Sequence, residues 1–231
     1  MVHIVAYADE SYLDDGFVFM GGYTAPVDTW IDFAGKWKSV LIEHPEVPYF
    51  SSHGFKSQEW QRKHGVVDAH LLPAKTLKLA SLVARSGLWF PVVSTIEKSL
   101  FEEVIKSRVR ATKNPKYELL RDPYYFVYVR LLGLLLQRIP ELNSVLDVEQ
   151  RMDKVDVFVD QNGKLAENAA SLFMDIKRIS DPDRQALMGV SAPLDDKDTM
   201  PLQCADLLIG QLREFYISRT FTDACKTLLE A

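Results

Sequence analysis

The start of the chain combines two strand-like apolar runs with a turn signal between them. Residues 2–9 and 17–25 are rich in Val, Ile, Tyr and Phe, and Asp14-Asp15-Gly16 lies between the two runs. β-Branched and aromatic residues favour strands, and Asp-Gly is typical of tight hairpin turns. The sequence therefore predicts an antiparallel hairpin at the start, which restricts the chain to folds built around a sheet.

After this hairpin, helical and strand-like segments alternate. Segments with helical periodicity cover residues 30–41, 73–86, 98–139, 164–179 and 201–217. Further strands are expected at 88–95, 154–160 and 186–192. Pro91 gives the first of these an edge position, because proline cannot donate a ladder hydrogen bond, and Pro140 is expected to end a helix. The order predicts an α/β fold with a mixed sheet, antiparallel first and then parallel, between helices. We expect one domain over 1–231, with 98–150 as a helical insert or lid.

Composition limits the classes of protein to consider. Apolar residues make up 47% of the 231 residues, which is enough for a core without disulfides. The two cysteines, Cys204 and Cys225, lie too far apart for a CxxC site. No apolar run reaches the ~18–20 residues of a membrane span, and no secretory signal precedes the first strand. We therefore expect a cytoplasmic protein without a membrane partner. The net charge of -5 argues against a uniformly basic nucleic-acid surface but allows a local basic patch.

Acidic residues stand where three core elements begin or end. Asp9-Glu10 ends the first strand in "HIVAYADESY", and Asp160 ends "VDVFVD". Gln203 and Asp206 lie three residues apart in "PLQCADLL", a spacing that places both on one helix face. If strands 2–9 and 154–160 are parallel neighbours, Asp9 and Asp160 end side by side at the carboxyl edge of the sheet, where ligands bind in open α/β sheets.

A divalent cation would resolve the repulsion between such carboxylates. Like charges close together raise each other's pKa, and Mg²⁺ or Mn²⁺ prefers oxygen ligands. The sequence therefore predicts a shared metal site with Asp9, Asp160 and Asp206 as ligands. Taken singly, each position also fits a solvated turn, a strand exit or a helix cap.

In order and spacing, these motifs resemble a large, mainly prokaryotic and phage family known as domain of unknown function 3800. The resemblance covers about residues 3–215 and rests on "YADES", "FVFMGGYTAP", "VFVDQNGK" and "PLQCADLL". The family is marked by an N-terminal DE, here Asp9-Glu10, and a C-terminal QxxD, here Gln203 and Asp206. The resemblance implies a ribonuclease H-like fold, in which acids on the first strand, a later strand and a C-terminal helix bind two metals. Asp9, Asp160 and Asp206 occupy comparable places.

The fourth acid of that arrangement has no clear equivalent in this sequence. Ribonuclease H places it on the first helix. Here Glu10, Glu59 and Glu97 are candidates, and Glu10 ranks first because its position is fixed by the DE motif. The resemblance thus implies a metal-dependent nuclease or related phosphoryl-transfer enzyme, with Asp9, Glu10, Asp160 and Asp206 as the catalytic set.

Four further residues are expected to bind the substrate. Gln203 is expected to orient a ligand or contact a phosphate, and Lys164 to contact the scissile phosphate. Arg108 and Arg110, in the basic run "VIKSRVRATKNPK", are expected to hold the backbone of DNA or RNA. Each of the three basic residues also fits a solvated surface.

Two other functions remain open at this point. The chain could be a non-catalytic module that binds nucleic acid or protein and keeps the fold, which the missing fourth acid and the acidic net charge favour. It could also be an interaction subunit of a phage-related or defence system, with 98–139 as the partner surface. The tyrosines at 124, 125 and 128 fit stacking on unpaired bases or packing in a helical core.

Overall fold

The computed structural model describes residues 2–12, 16–88, 90–111, 118–161 and 163–229. Its strands are β1 (Val2–Tyr12), β2 (Phe17–Pro26), β3 (Phe90–Glu97), β4 (Met152–Asp160) and β5 (Met188–Leu194). They form one five-stranded sheet in the order β3-β2-β1-β4-β5. β1 and β3 each pair antiparallel with β2, whereas β4 pairs parallel with both β1 and β5. The predicted α/β class, mixed sheet and edge position of Pro91 are confirmed.

Ten α-helices surround the sheet in the described residues. They are α1 (Val27–Ile42), α2 (Gln58–Lys63), α3 (Leu72–Arg85), α4 (Lys98–Leu100), α5 (Ser107–Ala111), α6 (Pro123–Asn143), α7 (Gly163–Ile179), α8 (Pro182–Leu187), α9 (Met200–Ser218) and α10 (Asp223–Leu229). A π-helical turn, Phe101–Lys106, joins α4 to α5. Short 3-10 helices cover Gly54–Lys56, Ala69–Leu71, Leu119–Arg121 and Val148–Gln150. The predicted turn at 14–15 and the basic residues within 112–117 lie outside the described residues.

The prediction that Pro140 ends a helix is wrong. Pro140 is exposed and lies inside α6, which continues to Asn143. So close to the end of a helix, proline removes a single hydrogen bond from the helical ladder. The backbone N–H of Ser144 then bonds to the carbonyl of Pro140, which closes the last turn.

The two faces of the sheet carry separate apolar cores. Side chains alternate along β1, so that Ile4, Ala6 and Ala8 join a core formed with α6 and α7. Val5 belongs to the other core, together with α1, α3 and α9. We call these two sides the α6 face and the α9 face. The helix predicted at 30–41 is confirmed, and its apolar residues at spacings of three and four are buried on the α9 face: Trp30, Phe33, Trp37, Val40 and Leu41.

Segment 98–150 supplies part of the α6 face. Nine residues of α6 are buried, and several of them belong to the core of that face. The α6 helix is therefore a layer of the fold. The role of 98–150 as an insert or lid, and the single domain over 1–231, stay predictions. Cys204 and Cys225 are buried free thiols. None of the helices in the described ranges is both long and apolar enough to cross a membrane.

Two adjacent glycines bring α9 close to the sheet. A Cβ atom on Gly22 would lie 1.7 Å from the Tyr7 carbonyl oxygen and 3.0 Å from Cβ of Ala205. A Cβ atom on Gly21 would lie 3.0 Å from Cδ1 of Ile209. Only residues without a side chain permit this approach. Because Asp206 follows Ala205 directly, the glycines allow an acidic residue of α9 to come near the end of β1.

Candidate active site

Asp9 and Asp160 lie side by side at the point where β4 ends. The prediction that Asp9-Glu10 ends the first strand is wrong, because pairing with β2 carries β1 on to Tyr12. In the parallel register Ala8 pairs with Val159, so the next residues along β1 and β4 are the two aspartates. Ala8 and Val159 face α6, and alternation therefore directs both carboxyl groups to the α9 face. The predicted parallel pairing of these two strands is confirmed.

Asp206 completes a group of three acids on the α9 face. Burial raises the pKa of Asp9, and the negative charges of Asp206, Glu10 and Asp160 raise it further. Burial, together with Asp196 and Asp160, raises the pKa of Asp206 to about 6. The backbone N–H of Ser52 opposes this effect by donating a 2.8 Å hydrogen bond to Asp206 Oδ2. The structure therefore brings together the three acids that the sequence singled out.

Asp196, in the loop between β5 and α9, is a fourth acid on this face that the sequence analysis missed. Its backbone N–H donates to the carboxylate of Asp160. Burial raises the pKa of Asp196 to about 6, with the neighbouring charges of Asp160 and Asp195 adding to the effect. The signal was present in the sequence, since Leu194 pairs with Asp160 and Asp195-Asp196 follows at once. The predicted strand ended at residue 192, so Asp195-Asp196 did not stand directly after a strand in the sequence analysis.

Glu10 lies at the same edge but faces the other way. It alternates with Asp9, and its charge raises the pKa values of Tyr12 and Tyr124, for which burial is the larger cause. Tyr124 belongs to the core of the α6 face. Asp196 accompanies the other three acids on the α9 face, whereas Glu10 acts on Asp9 through its charge from the adjacent backbone position. The role of Glu10 as the fourth acid stays a prediction. Glu59 lies on α2 and Glu97 at the end of the outer strand β3.

The side chain of Gln203 is fully buried and holds four partners by hydrogen bonds. Its Oε1 accepts hydrogen bonds from Trp37 Nε1 at 2.9 Å and from the backbone N–H of Phe50 at 3.0 Å. Its Nε2 donates to the carbonyl oxygens of Asp196 at 2.8 Å and Lys197 at 3.3 Å. These four bonds use the whole hydrogen-bonding capacity of the amide, which corrects the expectation of a phosphate contact. Gln203 instead positions the Asp196 turn.

The basic residues predicted to bind substrate lie on the surface near this edge. Lys164 is exposed in the first turn of α7, four residues after Asp160. Arg108 and Arg110 are exposed on α5, which follows the carboxyl end of β3. Lys106 of the same run pairs with Glu102 at 2.6 Å, which neutralises part of the patch. For the three tyrosines of α6, core packing is confirmed because all are buried: Tyr124, Tyr125 and Tyr128.

The carboxylate oxygens of the four acids are the type of ligand that a hard cation prefers, but the four side chains are not arranged around a common point. Within the described ranges, no group of three or more His, Cys, Asp or Glu residues is placed so as to hold a metal ion. Asp9, Asp160 and Asp206 each interact electrostatically with the other two, and Asp196 interacts with Asp160 and Asp206. The four carboxylates are half-buried and repel one another, which makes their negative charges unfavourable. A divalent ion bound between them would offset this repulsion. The metal site stays a prediction.

A separate cavity of about 480 Å³ lies behind Ser52, between α3, α9 and α10. Its walls include Phe50, Phe55 and Leu72, and none of the four acids lines it. Ser52 lines this space and also donates its backbone N–H to the Asp206 carboxylate, and the charged residues of the wall are Lys56, Glu214 and Asp223. We call the group of four acids, Asp9, Asp160, Asp196 and Asp206, the acidic pocket. None of its members lines the cavity, so the two are separate sites.

No protein-family model and no curated protein matches the sequence. The comparisons thus assign neither a family nor an activity, and the resemblance to domain of unknown function 3800 rests on its motifs alone.

Acidification is expected to stabilise the wild type relative to Asp206→Asn by about 1 kcal/mol between pH 7 and pH 5. The pKa of Asp206 is raised to about 6 in the folded protein, whereas in the unfolded chain it is near 3.9. The folded protein therefore takes up a proton in this range and the unfolded chain does not, which favours folding as the pH falls. Urea unfolding of both proteins at the two pH values measures the effect. An identical pH dependence would contradict the placement of Asp206 among other acids.

Proposed function

We propose that this chain is a divalent-metal-dependent enzyme that cleaves phosphodiester bonds, built on a ribonuclease H-like fold and related to domain of unknown function 3800. One observation carries the proposal. Asp9, Asp160 and Asp206 come from β1, β4 and α9 and meet on one face at the carboxyl edge of the sheet. The order of the supporting elements agrees with the family pattern.

In this proposal Asp9, Asp160 and Asp206 hold Mg²⁺ or Mn²⁺, and Asp196 replaces Glu10 as the fourth acid. When bound between such carboxylates, these ions activate water and stabilise the leaving oxygen in phosphodiester cleavage. Ser52 keeps the Asp206 carboxylate oriented through its backbone N–H. Two exposed cations are placed to meet a phosphate at this edge: Lys164, four residues after Asp160, and Lys197, whose charge lowers the pKa values of Asp160 and Asp196.

The local charge explains why the proposal requires a cation. Acids in a half-buried pocket repel the phosphates of a nucleic acid. Bound divalent cations would neutralise most or all of this negative charge, and Arg108 and Arg110 would then hold the nucleic-acid backbone outside the pocket. DNA, RNA and small phosphodiesters all remain substrates to test.

A second candidate function is a non-catalytic module that binds nucleic acid or protein. It is favoured by the lack of an assembled three-residue metal group in the described part of the chain. The net charge of -5 agrees with it.

A cleavage assay separates the two functions. The purified protein is incubated with single- and double-stranded DNA and RNA and with bis(p-nitrophenyl) phosphate, in Mg²⁺, Mn²⁺ or EDTA. We expect cleavage of at least one substrate with a divalent ion and none with EDTA. Asp153→Asn, which removes an exposed acid at the opposite end of β4, is the matched control and is expected to retain the activity. Absence of cleavage under every condition would favour the binding module.

A further inference from the structure

A cluster of aromatic rings borders the acidic pocket on the α9 face. We call Phe17, Phe19, Phe215, Tyr216 and Phe221 the aromatic shelf. The Tyr216 ring centroid lies 4.7 Å from that of Phe17 and 5.0 Å from that of Phe19. Phe215 contacts Tyr216 and stacks on Phe221, with 4.1 Å between the centroids of the stacked pair. The shelf therefore joins the start of β2 to the end of α9 in one continuous surface.

The rings of the shelf lie beyond the acids in two directions, along the paired strands β1 and β2 and along α9. Phe19 pairs with Ser11, two residues beyond Asp9 on β1, which is about 7 Å along a strand. Tyr216 lies ten residues beyond Asp206 on α9, about 15 Å along the helix. A polynucleotide with one phosphate at the acids would extend over these rings.

Part of the apolar surface of the shelf is exposed to solvent. Phe221 is 41% exposed and neighbouring Ile217 is 60% exposed. Phe17, Phe215 and Tyr216 are only partly buried, whereas Phe19 forms the buried base. By contrast, the tyrosines of α6 are core residues and cannot present a ring to a ligand.

Positive charge accompanies rings on both sides of the sheet edge. The Arg219 guanidinium lies 5.6 Å from the Tyr216 centroid on the α9 face. The Lys98 ammonium lies 6.0 Å from the centroid of Tyr12, the last residue of β1. A cation beside an aromatic ring suits a nucleotide, whose base stacks while its phosphate meets the charge. This combination favours nucleic acid over an apolar peptide as the occupant.

We propose that the aromatic shelf binds unpaired bases, so that the acidic pocket receives single-stranded nucleic acid; the link to cleavage rests on the proposed function. Duplex bases are stacked on one another and cannot reach the rings. The shelf therefore selects single strands, while Arg219 contributes a salt-sensitive phosphate contact.

Fluorescence anisotropy in EDTA tests binding by the shelf without cleavage, because the metal-free acids repel the phosphates of single strands and duplex alike and leave their affinity ratio to the shelf. The probes are labelled 20-nucleotide oligo-dT and oligo-U and a 20-base-pair duplex. We expect wild-type protein to bind at least one single strand about 10-fold or more tightly than the duplex. Tyr216→Leu, which keeps apolar volume but removes the ring, is expected to weaken single-strand binding about 5-fold or more. Arg219→Gly is expected to weaken it and to lower the salt slope by about 1.

The variants are chosen to preserve the fold. Arg219 has a φ of 57°, a conformation that glycine adopts more readily than arginine, so Arg219→Gly removes the charge without strain. If Tyr216→Leu lowers the melting temperature, its loss of binding is not interpreted, and the single-strand affinity of Arg219→Gly tests the shelf instead. Arg178→Ala, in the last turn of α7 at the opposite end of the molecule, removes an equal charge and is expected to change nothing.

Distinct results separate this inference from the proposed function. Equal affinity for single strands and duplex, or equal losses in Arg219→Gly and Arg178→Ala, would overturn the shelf even if the protein cleaves DNA. Shelf-dependent binding in a protein without cleavage would support the shelf and reject the enzyme.

Discussion

Asp9→Asn is expected to reduce cleavage in Mg²⁺ or Mn²⁺ by at least about 100-fold, because residues that merely support metal ligands already cost 10–100-fold when changed. Asp9 interacts with both Asp160 and Asp206 and is the acid whose pKa burial and neighbouring charges raise most strongly. The measurement is the initial rate on the best substrate of the cleavage assay. A variant as active as wild type would show that the activity comes from elsewhere, such as a contaminating nuclease.

The same variant has a second readout that does not depend on activity. Without metal, Asp9→Asn is expected to melt at a higher temperature than wild type, because the change removes a charge that burial and neighbouring acids disfavour. With Mn²⁺ at 100 times its dissociation constant, wild type is expected to gain about 2.7 kcal/mol, or roughly 5–10 °C. The variant is expected to gain little. A wild-type melting temperature unchanged by Mn²⁺ and Mg²⁺ would reject the metal site.

Gln203→Leu is expected to lower the free energy of unfolding by about 3–5 kcal/mol. Leucine has similar volume but leaves the indole N–H of Trp37 and the backbone N–H of Phe50 without their acceptor in the core, at about 1–3 kcal/mol each. The carbonyl of Asp196 loses its donor as well. Urea denaturation measures the change.

Two related variants sharpen this test. Gln137→Leu, on the exposed side of α6, is the matched control and is expected to stay within about 0.5 kcal/mol of wild type. Gln203→Glu keeps the acceptor for Trp37 and Phe50 but cannot donate to the Asp196 turn when ionised. A Gln203→Leu protein as stable as wild type would contradict the stabilising role of the Gln203 hydrogen bonds.

Much of the framework could be predicted because local patterns determine it. The apolar runs gave the strands, and the aromatic spacing of α1 gave its buried face. The neighbouring placement of Asp9 and Asp160 followed from one assumption, the parallel pairing of their strands, which the register confirms. The proximity of Asp206 needed a close approach of α9 that only Gly21 and Gly22 explain.

The remainder depended on tertiary contacts that have no local signature. A glutamine three residues from an aspartate looks the same in sequence whether it faces a substrate or, as Gln203 does, four partners in the core. Asp196 was hidden by a strand end misplaced by two residues. The aromatic shelf joins Phe17 to Tyr216, residues almost 200 positions apart, so no window of sequence contains it.

The central place of β1 has a consequence for the protein while it is being made. Its antiparallel partner β2 leaves the ribosome almost at once, but its parallel partner begins at Met152. At about 5–20 residues per second, roughly 7–30 s pass before β4 is synthesised. During that interval the nascent chain presents an unpaired, Val- and Ala-rich edge of β1 that can template aggregation. Until β4 is made, pairing with another chain competes with the native pairing of β1.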